Sequence, residues 1–418
     1  MKSIILAFAK SIAMLVTAAV LILAAFSVSP IYDFEDPRPF SGPDIFNPYA
    51  ALDTTQHWKR ANFHTHTRVQ SLFNECDFWP SQVYDAYSRL GYDIVTFSNH
   101  NALTVHPFDT SLQVNVYEHG YNLFKYHVLV FGSGRVNRFD HILPVLTSQR
   151  QWMLDLLGRD ADILQLNHPF RTNLTSVDDL ECLTGYRLIE LDSGVTTEQE
   201  YWDWALGAGH YSFGLANDDL HFPDRTDRIA VRCNMLQCDG ADYESIRRAL
   251  LSGCFYSMRV PDFGHGDWNE KYAANAHLPE LCAAGVSGDT VSVAFSRPAQ
   301  IKAVGQGGRL LCGGEAVRSL ACHLAPDEPY VRFTAYFDDG VVIYVNPFAR
   351  YDASCRESPY RETGHRVNVF LTVLYNLMLA LVAAGCIVLL VRLPAFAKRP
   401  LTVASGSVPR DKGGDNVS

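Results

Sequence analysis

The chain has 418 residues, enough for one large domain or two ordinary ones, and its 48% hydrophobic and 19% charged residues are the balance of a folded protein. A net charge of −10 and a pI of about 5.8 exclude a general nucleic-acid binder, which needs a basic face. No internal repeat, low-complexity tract or long run of like charge interrupts the middle of the chain.

The first predicted element is apolar. Residues 11–29 carry no charge and follow Lys2 and Lys10, the layout of a secretory signal or signal anchor. Phe26 and Pro30 leave no clear small-residue cleavage site, so an uncleaved anchor over 1–30 is expected. A proline-bearing stretch, 31–56, reads as an extracytoplasmic linker. At the other end, 367–391 is uncharged and long enough to cross a bilayer, with Arg392, Lys398 and Arg399 beyond it. By the positive-inside rule both chain ends are cytoplasmic, and everything between the spans lies in the periplasm or on the outer face. The last stretch, 392–418, reads as a disordered tail. Ten cysteines are present, with Cys386 inside the second span. The others would meet an oxidising compartment, where Cys233/Cys238 and Cys312/Cys322 are candidate disulfides.

Between the spans, 57–260 alternates short apolar runs with longer polar-patterned segments. The first run leads into His64-Thr65-His66, two imidazoles that an extended backbone points to one side. A helix is expected from Pro80 to near Gly91. Runs at 93–97, 128–131, 163–166, 188–191 and 213–216 then close on Ser98-Asn99-His100, Gly132-Ser133-Gly134, Asn167-His168-Pro169, Asp192-Ser193-Gly194 and Asn217-Asp218-Asp219-Leu220-His221. Helices are expected at 148–157 and 198–206. This order predicts parallel strands joined by helices, with histidines and carboxylates gathered in the loops after the strands, where barrel active sites sit. After a connector, 261–288, the texture changes. Strand-like runs and Gly-rich turns over 289–350 predict a small antiparallel β domain, followed by a second linker, 351–366.

Taken together, these residues resemble the PHP family, named for polymerases and histidinol phosphatases. His64-Thr65-His66 is similar to its first motif, and Gly91–Asn101 to the strand and His-Asn pair of its second. Glu118, His127, His168-Pro169 and the closing Asp219-Leu220-His221 come in the family's order, and Gly253-Cys254-Phe255-Tyr256 resembles the segment that ends the domain. The resemblance implies an α/β fold: a distorted (β/α)7 TIM-like barrel, here followed by the β domain and flanked by two transmembrane helices. It also implies two or three divalent metal ions (zinc, manganese or iron) on His64, His66, His100, Glu118, His127, His168, Asp219 and His221. The family's early aspartate ligand has two candidates, with Asp77 the better residue type and Glu75 the better spacing. Asn99 stands where the family often has aspartate.

The implied reaction is hydrolysis of a phosphate ester by a metal-activated hydroxide at a di- or trinuclear site. Asp219 or His221 would protonate the leaving group, and Arg171 would clamp the phosphate. Asp218 is expected to orient a ligand; Asp192 is either a supporting residue or a turn residue. His119, His141 and His210 read as structural or exposed. The expected substrate is a phosphorylated small molecule, lipid headgroup or glycan, and the membrane is the other partner. Two rival readings are metal-dependent hydrolysis of a non-phosphate bond and a non-catalytic ligand-binding scaffold.

Overall fold

The computed structural model describes residues 2–70, 74–194, 196–197, 199–361 and 364–392; Lys398, Arg399 and the expected disordered tail lie outside them. The chain divides into two units, one of Met1–Ala25 with Leu377–Ser418 and one of Phe26–Asn376. The first contains most of α1 (Lys2–Phe26) and of α8 (Val369–Arg392). Both helices are long and apolar enough to cross a bilayer, by length and composition.

The second unit is mixed α/β. Its elements, in order, begin with β1 (Tyr32–Phe34), β2 (Asp44–Phe46), β3 (Lys59–Asn62), α2 (Pro80–Arg89), β4 (Ile94–Val95), β5 (Val116–His119) and β6 (Val128–Phe131). Then come α3 (Thr147–Gly158), β7 (Ile163–Leu166), α4 (Val177–Cys182), β8 (Leu188–Ser193), β9 (Thr196–Thr197), α5 (Glu200–Gly207) and β10 (Phe213–Asn217). The remainder is β11 (Arg232–Leu236), α6 (Tyr243–Ser252), β12 (Phe255–Arg259), α7 (Trp268–Asn275), β13 (Leu281–Ser287), β14 (Thr290–Val304), β15 (Leu310–His323), β16 (Tyr330–Tyr336), β17 (Val342–Tyr351) and β18 (His365–Val367). Local chemistry sets several helix starts. Pro80 opens α2 with its ring pre-set for helix, and Gln82 turns back to accept the Trp79 N–H at 2.9 Å. Ser176 and Asp179 form a reciprocal cap on α4.

A curled half-barrel sheet carries β10-β8-β7-β6-β5, and a longer sheet runs β13-β14-β16-β17-β12-β11-β3-β4. Isolated parallel bridges, Thr65 to Leu220 and His100 to Glu118, tie the two sheets together just beyond β3, β4 and β10. Phe63 and Phe131 meet edge-to-face inside, with centroids 5.7 Å apart and both side chains fully buried.

The strand directions depart from the all-parallel expectation. β7, β8 and β10 run parallel to one another, but β6 is antiparallel to both β5 and β7. Only residues 120–127 separate β5 from β6, fewer than the dozen or so a parallel crossover needs. After β6 the chain returns through 132–146 before α3 starts, which sets β7 against β6.

The strands of 289–350 pair antiparallel with one another, and β17 also pairs with β12, so one sheet continues from them into the strands that carry the histidines. The two expected linkers are partly strands: β1 pairs with β18, and β2 with β17. The connector holds α7 and β13. No disulfide forms among the described residues; Cys233, Cys238, Cys312 and Cys322 are all free.

Candidate metal centre

β3 hydrogen-bonds as strand only to Asn62, and the backbone then continues past the sheet. Asn62 Oδ1 accepts the His64 N–H, while Leu220 N–H donates to His64 O and His66 N–H to Leu220 O. Thr65 faces the other way and pairs with Ser98. The alternation therefore puts His64 and His66 on one side, both buried.

Glu118 lies at the centre. It sits in β5, fully buried, with each oxygen shared by more than one imidazole. Its Oε2 lies 3.1 Å from His64 Nε2, 3.3 Å from His66 Nε2 and 3.0 Å from His100 Nε2. Its Oε1 lies 2.9 Å from His127 Nδ1 and 3.4 Å from His168 Nε2, and accepts Asn167 Nδ2 at 2.9 Å. Asp219 Oδ1 faces the same imidazoles, 3.2 Å from His64 Nε2 and 3.3 Å from His66 Nε2. On the outer side, Glu75 Oε2 is 3.4 Å from both His66 Nδ1 and His100 Nε2 and groups with His221. Asp77 is exposed and joins no such group, so Glu75 replaces it as the candidate at that point of the chain; its carboxylate is the one that reaches the imidazoles. The structure brings together all the other expected ligands.

The donor set suits divalent metal ions. Nε2 of His64, His66, His127 and His168, and Nδ1 of His66, His100 and His168, are buried without a hydrogen bond. Orphaned buried polar atoms cost roughly 1–3 kcal/mol each unless something satisfies them. The N···O separations of 3.0–3.3 Å at Glu118 Oε2 also match those between ligands that sit roughly 2.0–2.2 Å from a common ion. Electrostatics point the same way: Glu75, Glu118, Glu190 and Asp219 converge, and Arg171 is the guanidinium paired with them.

Burial would lower the His64 imidazolium, but Glu118, Asp219 and Glu190 outweigh it and pull the group well above its usual range. His66 rises to about 9, where Asp219 and Glu118 overcome the same burial. Burial would raise Glu118 and Asp219; the surrounding imidazoles instead hold both far below the carboxylate range. Burial pushes His127 down to about 3 despite Glu118, leaving a neutral ring, the form that binds metal.

Supporting residues fix the ligands. Glu190, which the sequence reading missed, is fully buried on β8. Its Oε1 lies 3.1 Å from His64 Nδ1 and accepts Asn217 Nδ2 at 2.9 Å, and its Oε2 accepts the His168 N–H at 3.0 Å. A carboxylate on Nδ1 draws the proton there and frees Nε2 as the ligand atom. The available signal was an acid in the middle of Leu188-Ile189-Glu190-Leu191: a charge on a buried strand requires a partner. Asp218 acts through the backbone, accepting the N–H groups of Ala230, Val231 and Arg232 and the Tyr87 hydroxyl. Asp192 stands apart, paired with Arg232 and Arg259 at 2.6 and 2.8 Å. His119, His141 and His210 each bond to a main-chain carbonyl, of Phe139, Phe26 and Glu181 respectively. His168 (φ 25°) and Asp219 (φ 49°) both adopt left-handed backbone, strain of the kind functional sites retain.

Two clefts reach the cluster. One, of ≈ 260 Å³, is lined by His168, Arg171, Asp219, His221 and Phe222, and there Arg171 Nη1 donates to Asp219 Oδ2 at 2.8 Å. The other, of ≈ 1020 Å³, passes Arg68, Glu75, His100, Tyr121 and Arg138.

No family model and no curated protein matches the chain. Two solved structures are similar. A two-domain protein from Bacteroides vulgatus, containing a predicted PHP-like metal-dependent phosphoesterase, is 16% identical, with a TM-score of 0.37 over 75% of this chain and 91% of that one. The lesion-specific endonuclease PfuEndoQ from Pyrococcus furiosus is 13% identical, with a TM-score of 0.32 over 46% of this chain and 56% of that one. Both likenesses are remote, and the chemistry of the centre rests on its own geometry.

Proposed function

We propose that this chain is a membrane-anchored, metal-dependent phosphoesterase. Its metal site would be di- or trinuclear on a seven-stranded barrel of PHP type (β3 to β8 with β10), facing the extracytoplasmic side. The observation that carries the reading is Glu118, whose two oxygens each face a separate set of imidazoles, a donor arrangement that would suit more than one divalent ion. His64, His66 and Asp219 would hold one ion with Glu118, and His127 and His168 a second. Glu75, His100 and His221 are the candidates for a third. Bound there, divalent metals would supply Lewis-acid activation of water and charge neutralisation at phosphorus.

The chain's own groups account for the rest. Arg171 is 45% exposed at the cleft wall, free to turn its outer N–H groups towards a phosphate while keeping Asp219 in place. His221 Nδ1–H donates to Asp219 O, 2.7 Å away, and burial together with His66 lowers the ring's affinity for a second proton. In a two-ion centre, where His221 holds no metal, a ring so placed can hand a proton to the leaving oxygen. The 289–350 strands serve as a packing module behind the site.

Hydrolysis of an aryl phosphate by the purified full-length protein tests the reading. Turnover should require added manganese or zinc and vanish with chelator and in His64→Ala. A protein that binds metal but cleaves carboxylic esters and not phosphates would favour the non-phosphate rival.

A further inference from the structure

The loops around the candidate metal centre also hold the ends of the second unit, Phe26 and Asn376: His141 Nδ1 bonds Phe26 O at 2.6 Å. α3 starts beside those ends: Arg150, in its first turn, stacks over the Tyr126 ring at 3.6 Å, one residue before His127. Beside that first turn, Gln149 Nε2 and the Tyr375 hydroxyl both donate to Ser27 O at 3.1 Å. Asn376 clasps Ser29 through its side-chain amide, with contacts of 2.9 and 3.3 Å. Phe26 and Asn376, the two residues at which this unit passes into the apolar helices, are thus held at one place. The path from there to the centre is short. Phe26 stacks on Phe139 with centroids 6.4 Å apart, and Phe139 O bonds His119 Nε2 at 2.8 Å. His119 directly follows Glu118.

The loops between that place and the cluster carry apolar groups outward. Tyr121 lies over the His100 ring, centroids 5.0 Å apart, and is still 64% exposed; Leu123 is 67% exposed and its N–H bonds Ile142 O at 3.0 Å. Thr172 bonds Phe124 O at 3.0 Å and the Tyr126 hydroxyl bonds Leu174 O at 2.7 Å, which brings the exposed Leu174 alongside. Lys125 stands exposed in the same loop. Single exposed apolar residues are ordinary on a soluble surface; a rim of them joined to a cation, in a unit whose ends Phe26 and Asn376 run on into bilayer-length helices, matches an interfacial surface.

Resting on the phosphoesterase reading above, we infer that the substrate is a phosphate ester carried on a membrane lipid. It would reach the metals over the rim formed by Tyr121, Leu123, Lys125 and Leu174. Water would add its hydroxyl to phosphorus and its proton to the departing oxygen, and the acyl chains would stay in the bilayer.

The test uses the full chain reconstituted in dioleoyl phosphatidylcholine vesicles. Dioleoyl phosphatidic acid and dioleoyl phosphatidylglycerol in those vesicles are each compared with their water-soluble dibutyryl counterparts, in wild type and Leu123→Glu. At least one dioleoyl substrate should exceed its counterpart in kcat/KM by about ten-fold or more. Leu123→Glu should remove about ten-fold from the vesicle-borne substrate, the scale of one lost interfacial anchor, while aryl phosphate stays within about two-fold. In parallel, Leu123→Trp should gain fluorescence quenching from brominated lipid beyond that of wild type. Aryl phosphate hydrolysis with no chain-length preference and no added quenching would overturn the lipid assignment and leave the phosphoesterase standing. A protein with neither metal nor aryl phosphate turnover would remove the underlying reading as well.

Discussion

Replacing Glu190 with glutamine isolates the support behind the metal centre, because the side chain keeps its shape while it loses its charge and its capacity to accept on both oxygens. Three donors converge on it: His64 Nδ1, Asn217 Nδ2 and the His168 N–H. If the amide oxygen stays with His64 and Asn217, the NH₂ group faces the His168 N–H, donor against donor. If it flips, the NH₂ group faces His64 Nδ1, which must then accept, and the proton moves to Nε2, the atom aimed at Glu118 and Asp219. Either arrangement leaves a buried group unsatisfied at roughly 1–3 kcal/mol. Loss of a partner behind a ligating histidine typically weakens metal binding about 10–100-fold. Competition between the protein and a chelator of known affinity, read by elemental analysis of the dialysed protein, measures this directly. Unchanged affinity in a folded Glu190→Gln protein would refute the role assigned to Glu190.

Arg171→Ala removes a half-exposed cation, so the melting temperature should change little, while KM for a phosphate substrate rises about ten-fold as one charge-assisted contact disappears; steady-state kinetics at saturating metal read it. Asp179 caps α4 and pairs with Arg150 at 2.6 Å; against its burial, that guanidinium and the Thr147 and Ser176 bonds lower its carboxyl below the ordinary 3.8. A depressed folded pKa gives stability that is complete above about pH 4 and is lost as pH falls through the folded value, so the wild-type advantage over Asp179→Asn in thermal melts should be full at neutrality and fade in acid. Gly253 ends α6 at φ +80°, and a Cβ there would sit 2.3 Å from the Phe213 ring; Gly253→Ala should cost more than the ~1 kcal/mol of backbone strain alone, seen as a lowered melting temperature.

Much of the site was legible in the sequence because its residues flank hydrophobic runs of strand length. His100, His168 and Asp219 each stand at or just past the end of one, while His64 and His66 follow the mixed stretch Lys59-Arg60-Ala61-Asn62-Phe63 and were placed on one face by alternation. Glu118 was harder, since Val116-Tyr117-Glu118-His119 is too short and mixed to show a period. Glu190 was hidden for the opposite reason: apolar neighbours mask an acid on a two-faced buried strand. The choice between Glu75 and Asp77 turned on reach across a loop, which no periodicity constrains. Strand direction at β6 and the joining of β17 to β12 depend on pairing between distant segments, and local pattern does not encode which edge a strand will find.

The most direct measurement is the metal content of the purified full-length protein, wild type beside Glu118→Gln. If Glu118 serves two sets of imidazoles as proposed, the wild-type chain should hold two or more divalent ions and the variant fewer, with the fold retained by circular dichroism. A folded wild-type protein that takes up no divalent metal, even when zinc or manganese is supplied, would contradict the account at its centre.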